Sequence, residues 1–137
     1  MWSQTFSGRL ESWNLLRDRC QHIPLESALD SINEWWFLAP WQPYYLHWDD
    51  QATWPDPWQL LSDNVYCDLA RALGILYTIT LLDRADMASA ELILTEDGDN
   101  LVQIAKEKYI LNWKPDTVVN TFQEIKIKRQ YQQHLIK

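Results

Sequence analysis

Cys67 is the residue of this 137-residue chain whose position best suits a nucleophile. It lies near the start of a strongly apolar segment, about Val65 to Leu82, which the residue pattern predicts to be the main helix. Ser62, Asp63 and Asn64 are expected to cap that helix. Because the partial positive charge at a helix N-terminus favours the thiolate, a Cys67-dependent hydrolase or acyltransferase is one interpretation.

The order of elements around Cys67 is similar to a known catalytic core. A buried helix that begins with Cys and is followed by an antiparallel sheet resembles transglutaminase-like and papain-like proteins, over roughly residues 58–113. The resemblance implies a His on a following strand and an Asp or Asn on the next. Asn112 could match that last position, but no His lies between Cys67 and Asp116, and His47 could approach only from the other side of the fold. Without a base the thiol is poorly activated, so a small buried core residue is the other reading of Cys67.

An aromatic loop over residues 38–57 is the second candidate site. Four prolines exclude a long helix here, and carboxylates lie among the rings. Such a composition suits a protein interface or a carbohydrate platform, and rings that simply cover the helical core would show the same pattern. Adjacent carboxylates such as Asp49 and Asp50 rarely point at one bond, so glycoside chemistry has little support. The candidate binding residues of this region are Trp41, Tyr44, Tyr45, Trp48, Trp54 and Trp58.

Charge divides the chain into an acidic body and a basic end. Residues 1–105 carry 5 Lys+Arg and 16 Asp+Glu, a net charge of −11, whereas residues 106–137 carry 7 and 3, a net charge of +4. The acidic body argues against binding nucleic acid across its surface. The basic end is more suited to docking on something acidic, such as a neighbouring copy, although a solvated tail would have the same charge.

The segment 121–137 alternates apolar and polar residues, which favours an extended strand over a helix. Its candidate binding residues are Ile125, Ile127 and Tyr131. As a basic arm or edge strand, this segment could join the sheet of a neighbouring molecule or return to the sheet of its own domain.

Helices are expected to make up most of the chain before the sheet and to position the candidate residues there. Apolar spacing predicts a first helix from Ser7, acting as cap, to Cys20, and a second that starts with Pro24 in its first turn and ends before Pro40. Asp56 and Pro57 have the residue types that begin a short helix. Gly74, inside the main helix, is expected to permit close approach of another element.

Short apolar runs bounded by turn residues follow the main helix and predict a three-strand antiparallel meander. Its strands are expected at Ala90–Thr95, Leu101–Ala105 and Lys108–Trp113, and Lys114, Pro115 and Asp116 are expected to end it. The predicted fold class is α+β, with N-terminal helices, a central buried helix packed on a small antiparallel sheet, and an extended C-terminal arm. Residues 1–120 are expected to form one compact domain and residues 121–137 the arm or edge strand.

Composition removes several classes of function. The chain contains only Cys20 and Cys67, which do not make a disulfide framework, and metal-ligand spacing is absent, so we predict no metal and no cofactor. No apolar stretch is long enough to cross a membrane, and the first residues do not have the pattern of a signal peptide. A reducing cytoplasm is the expected place of synthesis.

Three runs of residues resemble small proteins encoded in the structural gene modules of tailed bacteriophages. They are Trp54–Leu61 (WPDPWQLL), Asn64–Gly74 (NVYCDLARALG) and Lys108–Trp113 (KYILNW), and the similarity covers about the C-terminal two thirds. It implies a protein of the virion neck, tail or baseplate, made in the host cytoplasm, whose partners are other phage structural proteins or itself. The leading hypothesis is therefore a non-enzymatic structural or assembly protein, with a Cys67-dependent enzyme and a carbohydrate-binding module as alternatives.

Overall fold

The computed structural model describes residues 2–42, 46–104, 109–114, 117–119 and 127–131. Within them the chain has the predicted α+β architecture, with helices packed on one antiparallel sheet. The helices are α1 (Phe6–Cys20), α2 (Leu25–Phe37), α3 (Pro57–Asp63) and α4 (Asp68–Leu82), with 3₁₀ helices at Trp48–Thr53 and Ala85–Met87. The strands are β1 (Glu91–Thr95), β2 (Asn100–Ile104), β3 (Tyr109–Lys114), β4 (Thr117–Val119) and β5 (Ile127–Tyr131).

The strands lie in the order β4-β3-β2-β1-β5, and each neighbouring pair is antiparallel. The predicted meander is confirmed as β1 to β3. The expected end of the sheet after β3 is wrong, because β4 turns back and pairs with β3. The strand predicted in the C-terminal segment is confirmed for residues 127–131, where it pairs with β1 of its own chain. Ile125 lies outside the described residues.

Side chains at the helix starts decide where the helices begin. Thr5, and not Ser7, caps α1, since its Oγ1 accepts the Gly8 N–H at 3.0 Å. Pro24 occupies the cap position of α2 instead of its first turn. Asp56 caps α3 as predicted, accepting the Gln59 N–H at 2.7 Å.

The main helix α4 starts three residues later than the sequence indicates. Asn64, at φ +54°, ends α3 in the left-handed region, so the residues around it close one helix and do not cap the next. The chain then runs extended through Cys67, which is itself the N-cap of α4. Its Sγ accepts the Ala70 N–H at 3.4 Å.

Helix α4 is buried on nearly every side, as its apolar circumference predicts. The expected close approach at Gly74 is confirmed, because a Cβ at this position would lie 2.6 Å from the Trp36 ring. Only a residue without a side chain lets α2 pack this near to α4. The sheet also packs against α4. The N-terminal turn of this helix therefore lies beside β2 and β3.

Candidate functional site

Cys67 lies at the helix start, but its thiol is occupied by backbone donors. Besides the Ala70 N–H, Sγ accepts the Leu46 N–H at 3.4 Å, and the residue is buried. His47 follows Leu46 in the chain, yet it is exposed, and its imidazole forms no hydrogen bond with Cys67 in the described structure. Cys67 therefore caps α4, and through Leu46 it also ties the segment before the first 3₁₀ helix to the start of α4.

Asn112 turns towards Asp68 and not towards the thiol. Its Nδ2 donates to Asn100 O at 2.7 Å and to Asp68 Oδ1 at 3.2 Å, and its backbone N–H donates to Asn33 Oδ1 at 2.8 Å. The residue adopts φ +68° where the register of β3 shifts, which is unusual for a strand. Its Oδ1 is buried and has no hydrogen-bond partner among the described residues.

Asp68, in the first turn of α4, connects this turn to the sheet. Its Oδ2 accepts two N–H groups of Asn100, from the backbone and from the side chain, both at 3.2 Å. Its Oδ1 lies 3.9 Å from Nη1 of Arg71. Three residues from different elements thus converge on one carboxylate.

Arg71 is a nearly buried cation one turn further along α4. Its guanidinium carbon lies 4.2 Å from the centre of the Phe37 ring, which is a cation–π arrangement. Its Nε is buried without a hydrogen-bond partner in the described part of the chain. Burial lowers the pKa of Arg71, while the nearby Asp68 acts in the opposite direction.

These groups line a cleft of about 330 Å³ beside the start of α4. Trp113, on one wall, is 49 % exposed. The cleft was not predicted as a site, although one sequence signal was available: Asp68 and Arg71 are charged residues, three positions apart, at the start of an otherwise uncharged helix. The lining residues are Phe37, Asp68, Arg71, Asp99, Leu101, Asn112 and Trp113.

Two rings of the aromatic loop, Trp48 and Trp54, pack on the core. Trp48 and Trp54 are half-buried and pack edge to face at 5.6 Å, and Trp54 contacts Tyr131 of β5 at 5.1 Å. The indole N–H groups are also occupied, with Trp48 donating to Asn100 Oδ1 at 2.8 Å and Trp54 to His47 O at 2.9 Å. Trp48 and Trp54, being half-buried and nearly perpendicular, do not together form the open flat face on which a sugar ring stacks.

The other described candidate binding residues contact different parts of the fold. Trp41 is 61 % exposed and pairs through its backbone with Tyr66, whereas Trp58, on α3, is 47 % exposed and contacts Trp13. Ile127 packs beside a small second cluster of buried residues in the sheet. Tyr44 and Tyr45 lie outside the described residues.

No protein-family model, curated protein or solved structure matches this chain. In the part of the chain that the structure describes, no helix has the length and apolar character needed to cross a membrane. The same residues contain no group of three or more His, Cys, Asp or Glu side chains that could hold a metal ion.

Proposed function

We propose that this protein is a non-catalytic assembly protein that binds another polypeptide at the cleft beside the start of α4. The observation that carries the proposal is that two residues lining the cleft have buried polar atoms with no hydrogen-bond partner in the described part of the chain. Asn112 Oδ1 is an acceptor and Arg71 Nε is a donor, and neither has a partner among the described residues. Such groups are costly when unpaired, so a ligand that supplies a hydrogen bond gains affinity when either side chain turns towards it.

The surroundings of the cleft suit a polypeptide ligand. Trp113 lies half-exposed on its wall, and Leu38, which directly follows the lining residue Phe37, is 50 % exposed. Trp41 pairs with Tyr66, two residues before Asp68, so a third exposed apolar side chain lies on a segment joined to the cleft. Aromatic residues are enriched in protein interfaces.

The sequence resemblance to phage structural-module proteins supports a role for the protein in virion assembly. The partner is accordingly another virion protein or a second copy, met after synthesis in the host cytoplasm. The acidic surface supports a protein partner over nucleic acid, because two of the five cations in residues 1–105, Arg9 and Arg71, are buried. A third, Arg84, is paired with Asp86.

Two tryptophans of nearly equal exposure provide a matched test. The protein would be tested for binding to itself by sedimentation velocity and to each product of neighbouring structural genes by co-purification, as wild type, Trp113→Ala and Trp58→Ala. We expect a partner that binds the wild type and Trp58→Ala but is lost with Trp113→Ala, while circular dichroism shows both variants folded. A protein that stays monomeric and binds none of these products would contradict the proposal, as would equal loss in both variants.

A further inference from the structure

We infer that the cleft recognises a basic side chain, an arginine or a lysine, carried by the partner polypeptide. This inference rests on the proposed function and names the chemistry of its partner.

The cleft presents several hydrogen-bond acceptors. The Asp68 side chain is 44 % exposed, and Asp99, at the end of the β1–β2 turn, is exposed. Asn112 adds a buried Oδ1 that accepts no hydrogen bond among the described residues. A guanidinium carries five N–H donors and an ammonium three, so either group matches a site that is rich in acceptors.

The charge of the cleft also favours a cation. Two carboxylates, Asp68 and Asp99, stand against one guanidinium, Arg71, which is nearly buried and already stacked on Phe37. An anion drawn to Arg71 would meet both carboxylates, and it would approach through the field of a body whose net charge is −11.

Trp113 adds an aromatic wall to this acidic cleft. A basic side chain is amphipathic, with an apolar stem and a charged end, so it can place its stem along an aromatic surface and its charge near the carboxylates. The adjoining Leu101 extends the apolar part of the lining. The cleft therefore fits a basic side chain better than it fits a free inorganic cation.

The test uses two pairs of small probes that differ in charge but little in shape. Nα-acetyl-argininamide is compared with its citrulline analogue, and Nα-acetyl-lysinamide with its Nε-acetylated form, each titrated into the ¹⁵N-labelled full chain. We expect at least one cationic probe to give saturable shifts of the backbone amides of Asp68, Asn100 and Asn112, weakened by added salt. Its neutral counterpart should leave these amides unchanged.

Two variants in the β1–β2 turn test whether the carboxylate of Asp99 contributes to binding of the cationic probe. Asp99→Asn should weaken binding of the cationic probe roughly two- to fivefold, the range expected for one exposed ion pair. Asp97→Asn, in the same turn but outside the cleft lining, should change it little. Failure of both cationic probes to shift the cleft amides, or equal shifts by the neutral probes, would overturn the inference.

The two proposals fail in different ways. If a protein partner depends on Trp113 while the probes do not bind and Asp99→Asn has no effect on that partner, the basic side chain is the wrong ligand and the proposed function stands. If the cationic probes bind at the cleft but no protein partner depends on Trp113, the charge preference stands and the proposed function is wrong.

Discussion

At the scale of single residues, the position of Cys67 and its environment indicate different roles. A cysteine at the start of a buried helix suits a nucleophile, but Sγ accepts two backbone N–H groups and is shielded from solvent. Reactive cysteines are partly exposed, whereas Cys67 is buried. The polar groups that do gather nearby, Asp68 and Asn112, bind each other and form the cleft.

The reactivity of Cys67 follows from this burial. A thiol-reactive probe applied at mildly acidic pH should label Cys67 in the native protein more slowly than it labels a free cysteine peptide, and addition of urea should remove the difference. Peptide mass spectrometry identifies the labelled residue without any substitution. Cys20 is an internal reference, because burial raises the pKa of its thiol. Native labelling of Cys67 faster than the free peptide would favour the Cys67-dependent enzyme.

At the scale of elements, one hydroxyl joins three helices. Thr78, on α4, accepts the indole N–H of Trp13 from α1 and of Trp36 from α2, both at 2.9 Å. The same hydroxyl donates to Gly74 O at 2.8 Å, so its hydrogen-bonding capacity is fully used. Because all three side chains are buried, the two indole N–H groups have no access to water.

Replacing Thr78 by Val keeps the shape of the side chain and removes this junction. Each buried N–H left unpaired costs about 1–3 kcal/mol, so we expect Thr78→Val, which leaves two unpaired, to lower the free energy of unfolding by roughly 2–6 kcal/mol. Thr80→Val is the matched control, since its part-buried hydroxyl donates only to Leu76 O, and a loss below about 1 kcal/mol is expected. Urea unfolding followed by circular dichroism measures both, and similar losses in the two variants would show that the indoles do not depend on Thr78.

The sequence predicted helix starts and turns correctly where neighbouring residues alone determine them. Asp56 with Pro57 marked the start of α3, and the turn residues after Thr95 marked the β1–β2 connection. The start of α4 was misplaced because Asn64 can either cap a new helix or end the preceding one, and only packing selects between the two. Asp68 and Arg71 could have pointed to one wall of the cleft, but the contribution of Asn112 could not be predicted, since Asp68 and Asn112 are 44 positions apart and meet where the register of β3 shifts.

At the scale of the whole molecule, β5 closes one edge of the sheet. It pairs with β1, and its Tyr131 contacts Trp54, which ties the aromatic segment to the strand. Arg129 also forms an ion pair with Asp49 at 2.7 Å, but both side chains are well exposed, so this pair contributes little. The basic C-terminal segment, as far as residues 127–131 describe it, therefore completes its own domain.

Deleting residues 121–137 should expose β1 as an unprotected sheet edge. Unpaired backbone groups on an edge strand are a template for pairing with another chain, and Trp54 would also lose its contact with Tyr131. We therefore expect the truncated protein to unfold at lower urea concentration and to sediment as larger species than the full chain.

Arg129→Ala tests whether the charge of β5, and not its pairing with β1, stabilises the protein. It removes the ion pair with Asp49 and keeps the pairing of β5 with β1, so a change below about 1 kcal/mol and no self-association are expected. If the truncated chain instead remained monomeric with an unchanged unfolding midpoint, β5 would not be closing the sheet in solution. The basic segment would then be free for the other role that its sequence allows, as an added strand in the sheet of a neighbouring molecule.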